Sequence, residues 1–152
     1  MSLGLYLHIP YCFSKCRYCD FYSHPGERGV PDAYVDALLR ELSRFAPEAP
    51  LQPDTLYFGG GTPSLLRPEQ AKRLIDAARP MPGAEITLEA NPETVTEESL
   101  AGFREAGVNR ISFGVQSARD TQLRTLGRPH TAKQARAAFA AARRAGFANI
   151  SG

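Results

Sequence analysis

Short runs of apolar residues alternate along this chain with longer segments in which apolar residues recur every three or four positions. The short runs predict five β-strands, at residues 5–9, 55–58, 85–90, 110–115 and 148–150. The segments between consecutive strands are too long for hairpin turns, so we expect the strands to run parallel. The pattern therefore predicts an α/β fold built from repeated strand–helix units.

The intervening segments predict helices. Residues 31–46 place five apolar side chains on one helical face, namely Val35, Leu38, Leu39, Leu42 and Phe45. A second helix is predicted over 68–79, and Pro31 and Pro68 both suit a first-turn position. A short additional helix is predicted at 119–126.

Two further helices carry recognisable start and stop signals. Thr96 is suited to cap a helix that ends at Gly107. Thr131 and Gln134 have the spacing of a capping box, and the helix that follows them is expected to end at Gly146. Every crossover that lies between two predicted strands is thus predicted to contain at least one helix.

The order of the elements fits two architectures, a (β/α) barrel and an open doubly wound sheet. Hydrophobic periodicity does not separate them. The chain stops within or just after the fifth predicted strand, which would leave an open sheet edge. We therefore expect residues 1–152 to form one incomplete domain, the N-terminal portion of a longer protein.

Composition adds few constraints. The chain has 152 residues, 43% of them apolar, and a formal net charge of +2, which favours no particular charged partner. No apolar run approaches the roughly 20 residues needed to span a bilayer, and no targeting signal is visible at the start. Arginines concentrate toward the end without stacking aromatics between them, which favours solvated helix faces over a nucleic-acid surface.

Polar and small residues gather where four of the predicted strands end. They occupy residues 12–19, then 59–63 (Gly-Gly-Gly-Thr-Pro), 89–92 and 114–117. In barrels and open α/β sheets alike, ligands bind at the carboxyl ends of the strands. These segments therefore predict one shared site, in which the glycines would let a ligand approach the backbone closely.

The three cysteines of the chain, Cys12, Cys16 and Cys19, all lie in the first of these segments. Three thiolates can hold a metal centre and leave one coordination position open, as a catalytic centre requires. A zinc site completed by Asp20 or His24 is the alternative. The odd number of cysteines disfavours a disulfide framework.

The spacing Cys-X3-Cys-X2-Cys resembles the signature of the radical S-adenosylmethionine (SAM) enzymes. The flanking sequences YLHIPYC (6–12) and CDFY (19–22) resemble the branch that contains oxygen-independent coproporphyrinogen III oxidase and the haem chaperone HemW. The similarity extends to about Arg128. It implies a [4Fe-4S] cluster on the three cysteines, SAM bound at the remaining iron, and a partial (β/α)6 TIM-like barrel.

By the same resemblance, eight residues match positions that contact SAM: Tyr6, Tyr18, Gly60, Gly61, Thr62, Glu89, Gln116 and Arg128. Glu89 can accept hydrogen bonds from a ligand, and Arg128 can pair with a carboxylate. Other interpretations stay open, with Glu89 in a structural salt bridge, Arg128 in a surface pair and Tyr6 in the core. His8 is expected to line the barrel or to be a hydrogen-bonded core histidine, and His130 to lie at the surface.

Two departures from the oxidase pattern favour the chaperone. Only five residues precede Tyr6, where the oxidases carry a long extension. Asp20 and Phe21 follow Cys19, where the oxidases have Cys-Gly-Cys. The resemblance thus implies a haem chaperone. Oxidative decarboxylation of coproporphyrinogen in porphyrin biosynthesis is the alternative, and a non-catalytic iron-sulfur electron-transfer or sensor protein is the alternative of another class. Whether the protein is an enzyme stays open, since either radical SAM member could cleave SAM.

The resemblance also implies partners and a location. Haem or a porphyrin is the expected bound molecule, with a haem-acceptor protein and an electron donor such as flavodoxin as protein partners. Nucleic acid and a transmembrane segment are not expected. An exposed reducing cluster needs a reducing compartment, so the expected location is the cytoplasm.

Overall fold

Five parallel strands form the central sheet of the protein. The computed structural model describes residues 2–45 and 51–152. The sheet consists of β1 (Gly4–Ile9), β4 (Thr55–Gly60), β5 (Glu85–Ala90), β6 (Arg110–Phe113) and β7 (Asn149–Ser151). All four pairings between neighbouring strands are parallel, which confirms the α/β prediction.

The order of strands in the sheet is the order in the chain, β1-β4-β5-β6-β7. A doubly wound sheet reverses its strand order at a switch point, whereas a barrel adds each strand beside its predecessor. The observed order is therefore that of a barrel wall. Sequence periodicity could not decide this, because strand order depends on contacts between distant segments.

Within residues 2–45 and 51–152, five α-helices connect the strands. They are α1 (Asp32–Phe45), α2 (Pro68–Ala78), α3 (Glu97–Ala106), α4 (Asp120–Leu126) and α5 (Ala132–Arg144). α1 packs on α2, α2 on α3, and α3 on α5. None of these helices is long and apolar enough to cross a membrane.

The core lies between this helical layer and one face of the sheet. Alternate strand residues point into it, such as Leu7 and Ile9 of β1 and Leu56 and Phe58 of β4, all of which are buried. The positions between them carry polar or aromatic side chains on the opposite face. This second face, with Tyr6, His8, Tyr57 and Glu89, leads to the carboxyl ends of the strands.

The helix ends follow the predicted signals. Thr96 Oγ1 accepts a hydrogen bond from Ser99 N, and Thr131 Oγ1 accepts one from Gln134 N. Gly107, just beyond the end of α3, has a φ of 113°, a conformation in which glycine is favoured. The predicted short helix at 119–126 is also confirmed as α4.

Several boundaries differ from the predictions. β4 continues through Gly60 instead of ending at residue 58, and β6 ends at Phe113 instead of residue 115. α1 ends at Phe45, and position 46 lies outside the described residues. Phe45 is 75% exposed, so its predicted place on the buried face is wrong, while Val35 and Leu42 of the same face are buried.

A second, two-stranded sheet was not predicted. β2 (Tyr11–Cys12) pairs in parallel with β3 (His24–Pro25) and closes the base of the cysteine segment. Two-residue strands leave no periodic pattern in a sequence, because periodicity needs several alternations. This pairing holds the two ends of the cysteine loop side by side.

Candidate functional site

A cavity of about 520 Å³ opens at the carboxyl ends of β4, β5 and β6, within the size range of ligand pockets. Every predicted site residue except Tyr6 lines this cavity. The loop with the three cysteines forms one wall, and the ends of the strands form the other. The polar segments at the strand ends thus converge on one cavity, as the sequence predicted.

The cysteine loop is fixed by backbone and lysine contacts. Lys15 Nζ donates to the carbonyl of Phe21 at 2.6 Å, which closes the loop on itself. The backbone N–H of Arg17 donates to the carbonyl of Leu126 at 3.1 Å, which ties the loop to the end of α4. The same ammonium also donates to Ser23 Oγ at 3.1 Å.

The three thiols are free and are spread along the cavity wall, with Cys12 buried and Cys16 and Cys19 half-buried. Across residues 2–45 and 51–152, no three cysteine, histidine, aspartate or glutamate side chains converge closely enough to hold a single metal ion. Asp20 lines the cavity, whereas His24 lies in β3. A zinc site completed by Asp20 or His24 stays an alternative prediction.

Two polar side chains from the opposite wall reach the thiols. Thr62 Oγ1 donates to Cys12 Sγ at 3.5 Å, and Arg128 Nη1 donates to Cys16 Sγ at 3.2 Å. Asn91 lies between these two donors and contacts both. The surface ion pair considered for Arg128 is wrong, because the residue is only 8% exposed.

Asn91 was not predicted as a site residue, although it lies in the segment 89–92 that follows β5. Its side chain bridges two elements that are far apart in the sequence. The available signal was its position one residue beyond a strand end, but an asparagine before a proline is also an ordinary turn residue. Only the fold shows what this asparagine contacts.

Gly60 and Gly61 are required by packing as well as by any ligand. Gly60 has a φ of 119°, and a Cβ there would lie 2.7 Å from His8 Cε1. A Cβ on Gly61 would lie 2.6 Å from the carbonyl oxygen of Tyr11 and 3.0 Å from Cys12 Sγ. The glycine run therefore lets β4 and the cysteine segment approach each other, in addition to its predicted role of exposing backbone to a ligand.

Glu89 is held by two hydrogen bonds to its carboxylate. Tyr57 donates its hydroxyl to Oε1 at 2.7 Å, and the backbone N–H of Gly60 donates to Oε2 at 3.3 Å. Partial burial and the adjacent Glu89 raise the pKa of Tyr57 to about 12, so this phenol stays a donor. Arg110 of the neighbouring strand β6 pairs with Glu85, and no ion pair of the described residues includes Glu89, so the structure does not support the structural salt bridge considered for Glu89.

Tyr6 lies outside the cavity. Its side chain is 53% exposed, so the alternative of a core aromatic is wrong. The ring stacks on that of Tyr57, with centroids 6.0 Å apart, and its hydroxyl contacts His8 Nδ1 at 3.2 Å. Tyr6 is thus linked to the cavity through Tyr57 and Glu89, and its contact with SAM stays a prediction.

His8 is half-buried and hydrogen-bonded through both ring nitrogens. Nε2 contacts the carbonyl of Tyr22 at 3.0 Å. A carbonyl only accepts, so Nε2 carries the proton, and Nδ1 then accepts from the Tyr6 hydroxyl. His8 thus anchors the segment that follows Cys19 to β1. Tyr18 does line the cavity, where partial burial raises the pKa of its phenol.

Gln116 sits in a strained turn. Its φ is 60°, which is uncommon for a residue other than glycine, and Ser117 N donates across it to the carbonyl of Val115 at 2.8 Å. The same carbonyl accepts from His130 Nε2 at 3.2 Å. These two donors hold the turn that presents Gln116 to the cavity.

His130 was predicted at the surface, and this prediction is wrong. It is 2% exposed, and its Nδ1 lies 3.1 Å from Glu93 Oε2. Its two contacts join the end of β6 to the 3-10 turn Pro92–Thr94 that follows β5. A loop position next to a proline gave no sign of burial, because the burial arises from packing between two distant loops.

Comparison with known proteins places this architecture. Residues 6–152 match the sequence model of the family described as the Radical SAM superfamily. The chain is 46% identical over 142 residues to the heme chaperone HemW of Escherichia coli K12, covering 90% of this chain and 38% of that protein. It is 41% identical to the heme chaperone HemW of Bacillus subtilis, covering 96% of this chain and 40% of that protein.

A mitochondrial relative and a solved structure extend the comparison. The chain is 39% identical to the bovine protein named Radical S-adenosyl methionine domain-containing protein 1, covering 93% of this chain and 33% of that one. The coproporphyrinogen III oxidase HemN of Escherichia coli superposes with a TM-score of 0.84 at 31% identity, over 98% of this chain and 36% of that chain. The chain thus spans about two fifths or less of the length of each of these relatives.

Proposed function

This chain belongs to the radical SAM superfamily, and we propose on that premise that it holds a [4Fe-4S] cluster on Cys12, Cys16 and Cys19 and binds SAM in the adjoining cavity. The observation that carries the proposal is the convergence of three free thiols and seven of the eight predicted SAM-contacting residues on one cavity. These residues come from five segments of the chain, namely 12–19, 60–62, 89, 116 and 128.

The donor set fits these two groups. Three thiolates suit a cluster that keeps one iron open. Within the described part of the chain, Arg128 Nε is buried without a hydrogen-bond acceptor. A ligand carboxylate near this guanidinium would supply one. Gly60 and Gly61 expose backbone to the same cavity.

When bound, the cluster and SAM supply the one-electron chemistry that side chains lack. The residues of the chain bind and orient. Glu89, fixed by Tyr57 and Gly60, presents carboxylate oxygens to hydroxyl or ammonium groups of the ligand. Arg128 offers a fixed cation to a carboxylate. The loop from Cys12 to Cys19 forms one wall of the cavity and so limits the access of water.

For the whole protein we propose a haem chaperone that hands haem to an acceptor protein. Supporting this are the HemW relatives at 41–46% identity, against 31% for the coproporphyrinogen oxidase HemN. The sequence CDFY (19–22) also departs from the oxidase pattern. We further propose an electron donor such as flavodoxin as a partner, and the cytoplasm as the location.

Iron analysis of the full-length protein tests the cluster. After anaerobic reconstitution we expect about four irons and four sulfides per chain, and substitution of Cys12, Cys16 or Cys19 by alanine should abolish them. Ser14→Ala, in the same loop, is the matched control and should keep its iron. Stoichiometric zinc, with no EPR signal from iron after reduction, would contradict the proposal.

Two assays on the same protein separate chaperone from oxidase. The proposal predicts haem binding, and no conversion of coproporphyrinogen III to protoporphyrinogen IX in reducing, anaerobic conditions with SAM. The reason is substrate placement, since a misplacement of 1 Å can cost about 100-fold in rate. Robust decarboxylation without haem binding would make the protein an oxidase instead.

A further inference from the structure

A chain of hydrogen bonds joins two of the three thiols through the opposite wall of the cavity. It runs from Cys12 to Thr62, then to Asn91, then to Arg128 and finally to Cys16. The distances along it are 3.5, 3.2, 2.7 and 3.2 Å. The residues come from three different strand ends and from the loop after α4, so only the fold brings them together.

The chemistry of the members sets the direction of every bond. A guanidinium only donates, so Arg128 Nη2 donates to Asn91 Oδ1, which leaves the Nδ2 of that amide as a donor. Asn91 Nδ2 then donates to Thr62 Oγ1. With its oxygen accepting from Asn91, Thr62 directs its own hydroxyl proton to Cys12 Sγ. Both chain ends are therefore donors to sulfur.

The chain is buried and held in place. Thr62 is 2% exposed and Arg128 is 8% exposed. Arg128 Nη2 also donates to the carbonyl of Gly114 at 2.6 Å, so the guanidinium is fixed from two sides while Nη1 reaches Cys16. In a buried setting such bonds are not exchanged for bonds to water, so their effect on the sulfur is large.

We propose that Thr62 and Arg128, aligned by Asn91, raise the reduction potential of the cluster by donating hydrogen bonds to the Cys12 and Cys16 sulfurs. The inference rests on the proposed function, because it requires the cluster on these cysteines. Reduction adds negative charge to a cluster and its thiolates, and a donor to sulfur stabilises that charge. Asn91 is a positioning residue, since it acts through its two neighbours.

Arg128 thereby connects the cluster to the SAM site. The guanidinium that donates to Cys16 is the same group whose Nε lacks an acceptor within the described residues. A carboxylate bound at Nε would offset part of the positive charge of the guanidinium and so weaken the bond from Nη1 to Cys16. Occupation of the ligand site would in this way change the potential of the cluster through a side chain, in addition to any direct bond to iron.

The test is an EPR-monitored redox titration of the reconstituted full-length protein before SAM is added. Thr62→Val keeps the shape of the side chain and removes the donor to Cys12. We expect a midpoint potential more negative by about 59 mV, which is about a tenfold change in the one-electron reduction equilibrium. Thr62→Ser, which keeps the hydroxyl, should restore the wild-type potential.

Thr87→Val is the matched control. Thr87 is 1% exposed, and its hydroxyl bonds to Glu85 at the other end of β5. The substitution removes a buried hydroxyl that does not contact a thiol. The midpoint potential of the cluster in Thr87→Val should therefore equal that of the wild type. An equal shift in Thr62→Val and Thr87→Val would overturn the inference.

Asn91→Ala provides a second, independent variant if Thr62→Val does not retain its cluster. Asn91→Ala should also shift the midpoint potential of the cluster to more negative values. Asn109→Ala is its control and should leave the potential unchanged, because the amide of Asn109 bonds to backbone groups near the opposite ends of the strands. A wild-type protein without a cluster would refute the proposed function. A cluster whose potential is the same in wild type, Thr62→Val and Asn91→Ala would refute only the present inference.

Discussion

Among individual residues, Gly60 and Gly61 show how a residue without a side chain can be required for two reasons. A bulky substitution at Gly60 would press on His8 and also narrow the ligand cavity. Weaker ligand binding in such a variant could therefore result from a local change of packing as well as from a lost contact with the ligand. Gly61 has an ordinary φ, so its requirement arises from crowding against the cysteine segment.

Gly61→Ala should destabilise the protein by about 1–3 kcal/mol, because its Cβ would lie 2.6 Å from a backbone oxygen that cannot rotate away. Denaturant unfolding of the full-length protein measures this free energy. Gly29→Ala is the control, since no atom lies closer than 4.0 Å to its added Cβ. Equal stability of the two variants would show that the cysteine segment is free to move.

Tyr57→Phe should weaken SAM binding about fivefold while leaving the iron content unchanged. The variant removes the 2.7 Å hydrogen bond that orients Glu89, a loss of about 1 kcal/mol. Anaerobic equilibrium dialysis gives the affinity, and Tyr22→Phe, an exposed phenol, serves as the control. If Tyr57→Phe binds SAM as the wild type does, Glu89 does not depend on this bond.

The same phenol predicts a pH dependence of stability. The pKa of Tyr57 is raised from 10.0 to about 12, so the folded protein holds this proton more tightly than the unfolded chain does. Its contribution to stability is therefore complete below pH 10 and is lost as the pH rises toward 12. Comparing wild type with Tyr57→Phe across this range by unfolding should show a steeper decline for the wild type.

Between elements, the connections at the strand ends are made by a few buried polar side chains. His130 joins the turn after β5 to the turn after β6, and it stands immediately before the capping box of α5. Where loops have few apolar contacts, each hydrogen bond between them contributes a larger part of their local stability. Gln116 directly follows Val115 in the sequence and Arg128 lies two positions before His130, so both site residues adjoin this connection.

His130→Ala should cost about 1–3 kcal/mol of stability, because it removes the imidazole partner of Glu93 and one of the two donors to the Val115 carbonyl. Thermal or denaturant unfolding provides the measurement. His24→Ala, at an exposed position, should be close to neutral. An equally small effect at both positions would mean that water replaces the buried imidazole.

In the molecule as a whole, the two faces of the central sheet have different roles. One face packs against the helices in a continuous apolar core, and the other carries the tyrosines, His8 and Glu89 toward the cavity. Core substitutions should therefore change stability, and substitutions on the second face should change binding. The chain covers 33–40% of the length of the relatives compared.

Phe103→Ala should destabilise the protein by about 3–5 kcal/mol, because Phe103 is fully buried in the core. Phe45→Ala removes the same side chain from a 75% exposed position and should be near neutral. The two unfolding free energies are directly comparable. Similar losses would indicate that Phe45 is covered in the full-length protein.

Local features of the chain were predictable from the sequence. The alternation of strands and helices, the caps at Thr96 and Thr131, and the cysteine spacing all depend on residues a few positions apart. Their physical basis is the hydrogen-bonding and periodicity of the backbone, which a linear pattern records directly. Parallel strands then place their carboxyl ends at one edge, so the site itself could also be expected.

Other features were decided only by the tertiary structure. The bond from Arg128 to Cys16 spans 112 positions, Asn91 joins two such donors, and His130 is buried between loops that no local pattern links. Such contacts depend on the order of the strands and on their register. An example of this register is the pairing of His8 in β1 with Gly59 in β4. Because side-chain burial and hydrogen-bond partners follow from those long-range pairings, the residue types alone do not determine them.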